Sequence, residues 1–263
     1  MDLIRVRKHQ LLFIALGFFF SCSNNQKKVN DEQIIANVEL ESSGDSLANT
    51  IQGNATMKQI HTYPNHVILT GLAKHRLVSI YKSKLTKNEE PLINITKYRS
   101  SIEYGESEYI EHYMPGIDIL YGYNLLNIAH YDLETEIGSF LFNHPVLIKT
   151  LYYPSYVQDS INKIPVNRDY YLVSVYDEDS NHDSLINKKD LRRLYYFDAS
   201  AKQKKKLINN DYSVIKSEYD MKNDAMYIFA ALDENKNGMN ESKEPIHIFW
   251  FSLKTPDVAK RLY

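Results

Sequence analysis

The chain has 263 residues, 43% of them hydrophobic, with 31 lysines and arginines against 33 aspartates and glutamates. That is enough apolar material for one large core or two modest ones, and too much for a chain that stays unfolded. A formal charge of −2 offers no basic stripe to neutralise phosphates, so a nucleic-acid partner is not expected. Twenty-one tyrosines against nine glycines favour strands, because aromatic rings suit a pleated, half-buried surface better than a crowded helix. The expected class is all-β.

At the N-terminus Arg5, Arg7 and Lys8 precede an apolar run over residues 11–20, interrupted only by Gly17. A membrane span needs about 20 apolar residues whereas a signal-peptide core needs about 7–15, so residues 1–21 read as a signal peptide. The run ends in Phe19, Phe20, Ser21 and Cys22, which resembles the lipobox of bacterial lipoproteins: a small residue directly before the cysteine and a large apolar one three before it. Phe19 departs from that pattern, where leucine is usual. The resemblance implies cleavage between Ser21 and Cys22, lipid on Cys22, and attachment to a membrane of the cell envelope, the outer membrane being favoured. Several acyl chains anchor stably where one does not. Cys22 is the only cysteine, so no intramolecular disulfide can form. Residues 1–21 hold three basic side chains against Asp2, so the remainder is more negative than the whole, about −4.

Residues 22–54 are mostly Asn, Gln, Lys, Ser, Asp and Glu, with Ile34, Ile35 and Val38 as exceptions, and read as a flexible tether. Residues 55–263 read as a single all-β domain. Strand-like stretches fall at 66–72, 77–82, 117–121, 126–131, 146–152, 170–176, 194–198, 225–232 and 246–253. Helical periodicity is nearly absent.

A repeat emerges when residues 170–198 are laid without a gap on residues 224–252, an offset of 54. Asp179 then meets Asp233, Asn181 meets Asn235, Lys189 meets Lys243 and Phe197 meets Phe251, while Tyr195 and Tyr196 meet Phe249 and Trp250. Shorter units are visible at 128–142 and 78–93, four in all. Antiparallel strands ending in an aromatic strand, a turn and another strand resemble the blades of a β-propeller such as the C-terminal domain of the TolB family, over roughly residues 60–263. The resemblance implies about four propeller-like blades. An irregular β-sandwich is the alternative.

The second copy contains Asp233, Glu234, Asn235, Lys236, Asn237, Gly238, Met239, Asn240, Glu241, Ser242, Lys243 and Glu244, a run that resembles the twelve-residue calcium loop of the EF-hand family. Calcium prefers about 6–8 oxygens, delivered in that family from alternate positions of the loop. The resemblance assigns side-chain oxygens to Asp233, Asn235 and Asn237, a backbone carbonyl to Met239, a direct or water-mediated contact to Glu241 and both carboxylate oxygens to Glu244. Gly238 stands where the backbone must turn sharply. Asn240 departs from the family, which has an apolar residue there. The first copy supplies Asp179, Asn181, Asp183, the Leu185 carbonyl, Asn187 and Asp190 in the same register. Ile186 fits the apolar position, but Ser184 replaces the glycine and Asp190 is shorter than glutamate, so this site is expected to be the weaker. Asp, Asn and Gly also gather in ordinary turns, where they cap their own amides; two loops matching at one repeat offset favour the ion.

The segments around both loops are strand-like, so the loops read as calcium-filled inserts between strands and not as a helix pair that opens. No nucleophile or metalloprotease motif and no phosphate-cradling glycine loop is present. Histidines 61, 66 and 75 in one region and 112, 130 and 144 in another, with Asp118, Glu108 and Glu111, are the residues an acid-base or metal chemistry would draw on, but turn caps, packing beside tyrosines and surface carboxylates are the roles expected of them. Three functions follow as expectations. The first is a calcium-binding, lipid-anchored, non-catalytic binding or scaffold module with a protein or glycan partner. The others are an envelope hydrolase with a cleft site and a calcium sensor.

Overall fold

Residues 170–176 read Tyr, Tyr, Leu, Val, Ser, Val, Tyr. Such a segment has no face to give to water and is stable only where both faces are covered. In the computed structural model of the chain, which describes residues 50–83, 114–122 and 124–263, this segment is a strand with every residue buried. The lipobox, Cys22 and the expected tether up to residue 49 lie outside the described residues, as do Glu108, Glu111, His112 and the end of the 78–93 unit.

The described residues form seventeen strands, numbered along the chain, and no α-helix. Three antiparallel sheets carry the architecture. The first holds β2 (Thr62–Leu69), β3 (His75–Lys82), β5 (Leu125–Asp132) and β6 (Ile137–Phe140), in that order. The middle sheet runs from β4 (Ile117–Tyr121) through β7 (Leu147–Pro154), β10 (Tyr170–Tyr176) and β12 (Arg193–Asp198) to β13 (Lys204–Lys206). The third is a simple meander of β14 (Tyr212–Asp220), β15 (Ala225–Leu232), β16 (Ile246–Ser252) and β17 (Lys260–Arg261). Two short pairs complete the list: β1 (Ile51–Gln52) with β11 (Leu185–Ile186), and β8 (Asp159–Ile161) with β9 (Ile164–Val166).

All nine expected strands are present. None of the sheets closes on itself, and their layering is compatible with the β-sandwich alternative. The units read at 78–93 and 128–142 do not make separate blades, because β3 pairs directly with β5 in one sheet. Ile51 is only 3% exposed in the β1–β11 pair, so ordered structure begins before residue 55.

Alternation sorts the middle sheet between two cores. Tyr171, Val173 and Val175 of β10 point into a cluster with Leu77, Leu125 and Ile128 of the first sheet. Tyr170 and Leu172 point the other way, against Met226, Ile228, Phe249 and Phe251 of the third. The ungapped repeat holds for the second strand of each hairpin and slips by one residue on the first. Phe197 pairs with Tyr171, whereas Phe251 pairs with Met226 and not Ala225. Phe197 and Phe251 still face corresponding cores, each on the side of the preceding sheet.

One ion pair ties the second core shut. Arg168, just before β10, donates Nη2 to Asp224 Oδ1 at 2.7 Å and Nη1 to Asp224 Oδ2 at 3.0 Å. Its remaining donors reach the Pro115 carbonyl from Nε at 3.3 Å and the Leu253 carbonyl from Nη1 at 2.7 Å. Tyr219 donates its hydroxyl to Asp224 Oδ1 at 3.2 Å. Arg168 and Asp224 are 5% and 3% exposed, so removing one strands the other charge away from water. Arg168→Ala is expected to cost about 3–5 kcal/mol of unfolding free energy, measured by denaturant titration. A cost below about 1 kcal/mol would show that water replaces the guanidinium freely.

Candidate metal centre

The two twelve-residue loops sit at equivalent places in the fold. Residues 179–190 connect β10 to its partner β12, and residues 233–244 connect β15 to its partner β16. No helix flanks either loop.

Their backbones follow the same course. In the later loop the Asn237 amide donates to Asp233 Oδ1 and Asn235 Oδ1, both at 3.0 Å, the Gly238 amide to Asp233 Oδ2 at 2.9 Å, and the Met239 amide to Asn237 Oδ1 at 2.8 Å. In the earlier loop the Asp183 amide donates to Asp179 Oδ1 and Asn181 Oδ1, both at 3.0 Å, the Ser184 amide to Asp179 Oδ2 at 2.8 Å, and the Leu185 amide to Asp183 Oδ1 at 2.9 Å. The fourth and sixth loop positions take left-handed φ in both: His182 and Ser184 at 60° and 71°, Lys236 and Gly238 at 57° and 70°. Short polar side chains thus fold the chain inward at alternate residues, which is what a loop must do to turn several oxygens toward one point.

The last position separates the loops. Glu244 accepts the Glu241 amide on Oε2 at 3.1 Å, while its Oε1 is buried with no hydrogen-bond partner. Burial raises the Glu244 carboxyl above the usual range, the Glu241 amide opposes the rise, and the nearby charges of Asp233 and Glu241 add to it. A buried carboxylate oxygen without a donor, among acids that repel it, fits a cation. Asp190 is fully buried, and both its oxygens are taken: Oδ1 by the Ser180 amide at 2.9 Å and Oδ2 by the Asn187 amide at 2.8 Å. Burial raises its carboxyl and these amide bonds oppose the rise. The earlier loop is therefore closed by its own hydrogen bonds, the later one is not.

Glu241 Oε2 accepts the side-chain amides of Asn235 at 3.0 Å and Asn237 at 3.1 Å, gathering three expected ligands of the later loop. In the earlier loop Asn187 caps the Lys189 amide at 2.9 Å. Each loop has three carboxylates among its expected ligands, the others being amide and backbone oxygens. Among the described residues no group of three or more His, Cys, Asp or Glu side chains converges as a metal site on its own.

The loops also hold each other. Ser180 donates its hydroxyl to the Gly238 carbonyl at 2.6 Å, the Asn240 amide donates to the Lys189 carbonyl at 3.0 Å, and Asp190 and Met239 form an antiparallel bridge. On its far side the earlier loop pairs through β11 with β1, where the Gly53 amide donates to the Ser184 carbonyl at 2.9 Å. Neither contact between elements so distant in sequence was legible beforehand.

Among the described residues the histidines form no metal-holding group of three or more with each other or with Asp and Glu. His61 and His66 are exposed, and His144 bonds the Asp177 carbonyl through Nε2 at 2.8 Å. Instead His75 and His130, from the two different regions, lie with ring centroids 4.9 Å apart across β3 and β5. His130 Nε2 bonds the Ala199 carbonyl at 3.1 Å, and Asp118 lies on β4, half-buried.

No protein-family model and no curated protein sequence matches the chain.

Two measurements follow from this geometry. Ser184 holds a left-handed φ that costs a side chain about 1 kcal/mol, so Ser184→Gly is expected to raise stability by that order. A Cβ on Gly238 would lie 1.9 Å from the Ser180 carbonyl oxygen at φ +70°, so Gly238→Ala is expected to cost about 2 kcal/mol or more. Equal effects at both positions would mean the loops do not share a backbone. Burial, then the neighbouring His75, lowers the His130 pKa, with Asp132 and Asp198 drawing it back. Neutral His130 therefore favours the fold above about pH 6.5, and this contribution is lost as pH falls through the folded value. His130→Gln should flatten the fall in melting temperature below pH 6.5; an unchanged profile would exonerate the ring.

Proposed function

We propose that this protein is a calcium-binding, non-catalytic binding or scaffold module, anchored through lipid on Cys22 to a membrane of the bacterial envelope. The unpartnered Glu244 Oε1, in a loop whose hydrogen bonds repeat those of a second loop, carries the calcium part of this reading. Asp233, Asn235, Asn237, the Met239 carbonyl, Glu241 and Glu244 would hold one ion, and Asp179, Asn181, Asp183, the Leu185 carbonyl, Asn187 and Asp190 a weaker one. The ion would supply charge to relieve repelling carboxylates and would fix the ends of two hairpins. Strands on both sides of each loop favour this structural role over sensing, since no helix is there to swing. The finer fold reading we favour is the irregular β-sandwich, supported by the two cores packed between successive sheets.

The membrane attachment rests on the basic, apolar and small-residue order that ends at Cys22, and the binding role on the absence of a nucleophile motif in the sequence. Calcium at ten times a dissociation constant stabilises by RT ln 11, about 1.4 kcal/mol per site, or about 3–6 °C in melting temperature for a chain of this size. Calorimetric titration should show binding near 10⁻⁴–10⁻³ M, and Asp233→Ala with Asp179→Ala should remove both the heat and the shift in melting temperature. No bound calcium, or an undiminished shift in the double variant, would end the proposal.

A further inference from the structure

A half-open cavity of about 610 Å³ lies between the β12–β13 edge of the middle sheet and the β16–β17 edge of the third. Two half-exposed rings line it, Tyr196 from β12 and Trp250 from β16. Each has a lysine ammonium over it: Lys205 Nζ is 5.9 Å from the Tyr196 centroid and Lys260 Nζ 5.6 Å from that of Trp250. Lys205 also pairs with Asp257 Oδ1 at 2.7 Å, and this ion pair joins β13 to the connection between β16 and β17. Two further lining charges, Asp169 and Lys254, are exposed and make no ion pair among the described residues. Three lysines therefore face two aspartates. Every lining side chain except Phe251, Pro256 and Val258 carries a polar atom.

These features select among ligands. An aromatic acid needs enclosed apolar walls, which this cavity lacks. A divalent cation would meet an excess of ammonium groups. A sugar presents an apolar C–H face that suits a tyrosine or tryptophan ring and hydroxyls that need donors and acceptors together. The surplus lysine, Lys254, suits one carboxylate, and the volume lies in the range of small-molecule sites.

We infer that this cavity binds an acidic saccharide, a short sugar segment with one carboxylate, set against Tyr196 and Trp250 with its charge toward Lys254. The inference names a ligand class for the binding role proposed above and rests on that role, but it uses no residue of the calcium loops.

Trp250 is the only tryptophan in the chain, so its emission reports on this cavity alone. The full-length protein in detergent, with chelator present, is titrated with cellobiouronic acid and with cellobiose, two disaccharides that differ by one carboxylate. A saturable change in emission with the acid, at least about tenfold weaker with cellobiose, is expected, and Lys254→Ala should weaken the acid roughly tenfold while leaving cellobiose unchanged. Trp250→Phe should weaken the acid when calorimetry replaces the lost emission. Silence of the tryptophan up to about 20 mM acid, or equal affinity for both sugars, overturns the inference. Because chelator is present throughout, an emission change supports the cavity whatever the calcium titration shows; failure of calcium to bind strikes only the calcium reading, and a silent tryptophan in a protein that binds calcium strikes only the cavity.

Discussion

Covering both faces of β10 is the condition the rest of the molecule satisfies. With seven buried residues in succession, the strand sends Tyr171, Val173 and Val175 into one core and Tyr170 and Leu172 into another, and each core needs a sheet on its far side. Three layers are the smallest arrangement that achieves this. Burial on that scale carries backbone and polar groups inward with it, which is why guanidinium groups appear at the seams. Arg168 reaches across to Asp224 and the Leu253 carbonyl, while Arg192 donates to the carbonyls of Val214 and Ile215 on β14. Arg193 donates to Glu178 and to the carbonyls of Asn210 and Tyr212. Arginine suits this work because one planar fork can serve several oxygens at once.

Much of this was legible in the sequence where burial is continuous. Strands such as β7, β10 and β15 announce themselves as apolar runs, since both faces or most of one are covered. Strands with a wet face were harder to see. In β14 a register shift between Val214 and Lys216 breaks the alternation, and Lys216, Glu218 and Asp220 disguise the segment as a loop. The three lysines of β13 gave no strand signal; they pair at the sheet edge, and Lys204 lays its ammonium 4.0 Å from the Tyr195 ring centroid. The slip of one residue inside the repeat was also hidden, because pairing register depends on turns and bulges more than on the pattern of one strand.

The loops show the same division. Alternate Asp and Asn positions were visible from spacing alone, and so was the sharp turn at Gly238 and Ser184, but not the left-handed His182 and Lys236 two residues before it. Which loop is self-sufficient was not visible. That difference lies in whether the closing carboxylate finds amides, as Asp190 does, or leaves an oxygen bare, as Glu244 does. Shortening the side chain by one methylene draws the carboxylate back to its own backbone. Among the histidines, the ring contact of His75 with His130 joins two separate stretches of sequence, because β3 and β5 are neighbours in the sheet though some 50 residues apart in the chain.

The seat of β1 has a mechanical consequence. Chain arriving from residue 49 and before enters the fold at Thr50, whose carbonyl accepts Lys82 Nζ at 2.8 Å, and then pairs for two residues with β11. Tension along that incoming chain loads the contact with Lys82 on β3 first and this two-residue ladder next. The earlier of the two loops therefore shares any pull with the first sheet, and whatever stiffens that loop raises the force at which the lead-in peels away.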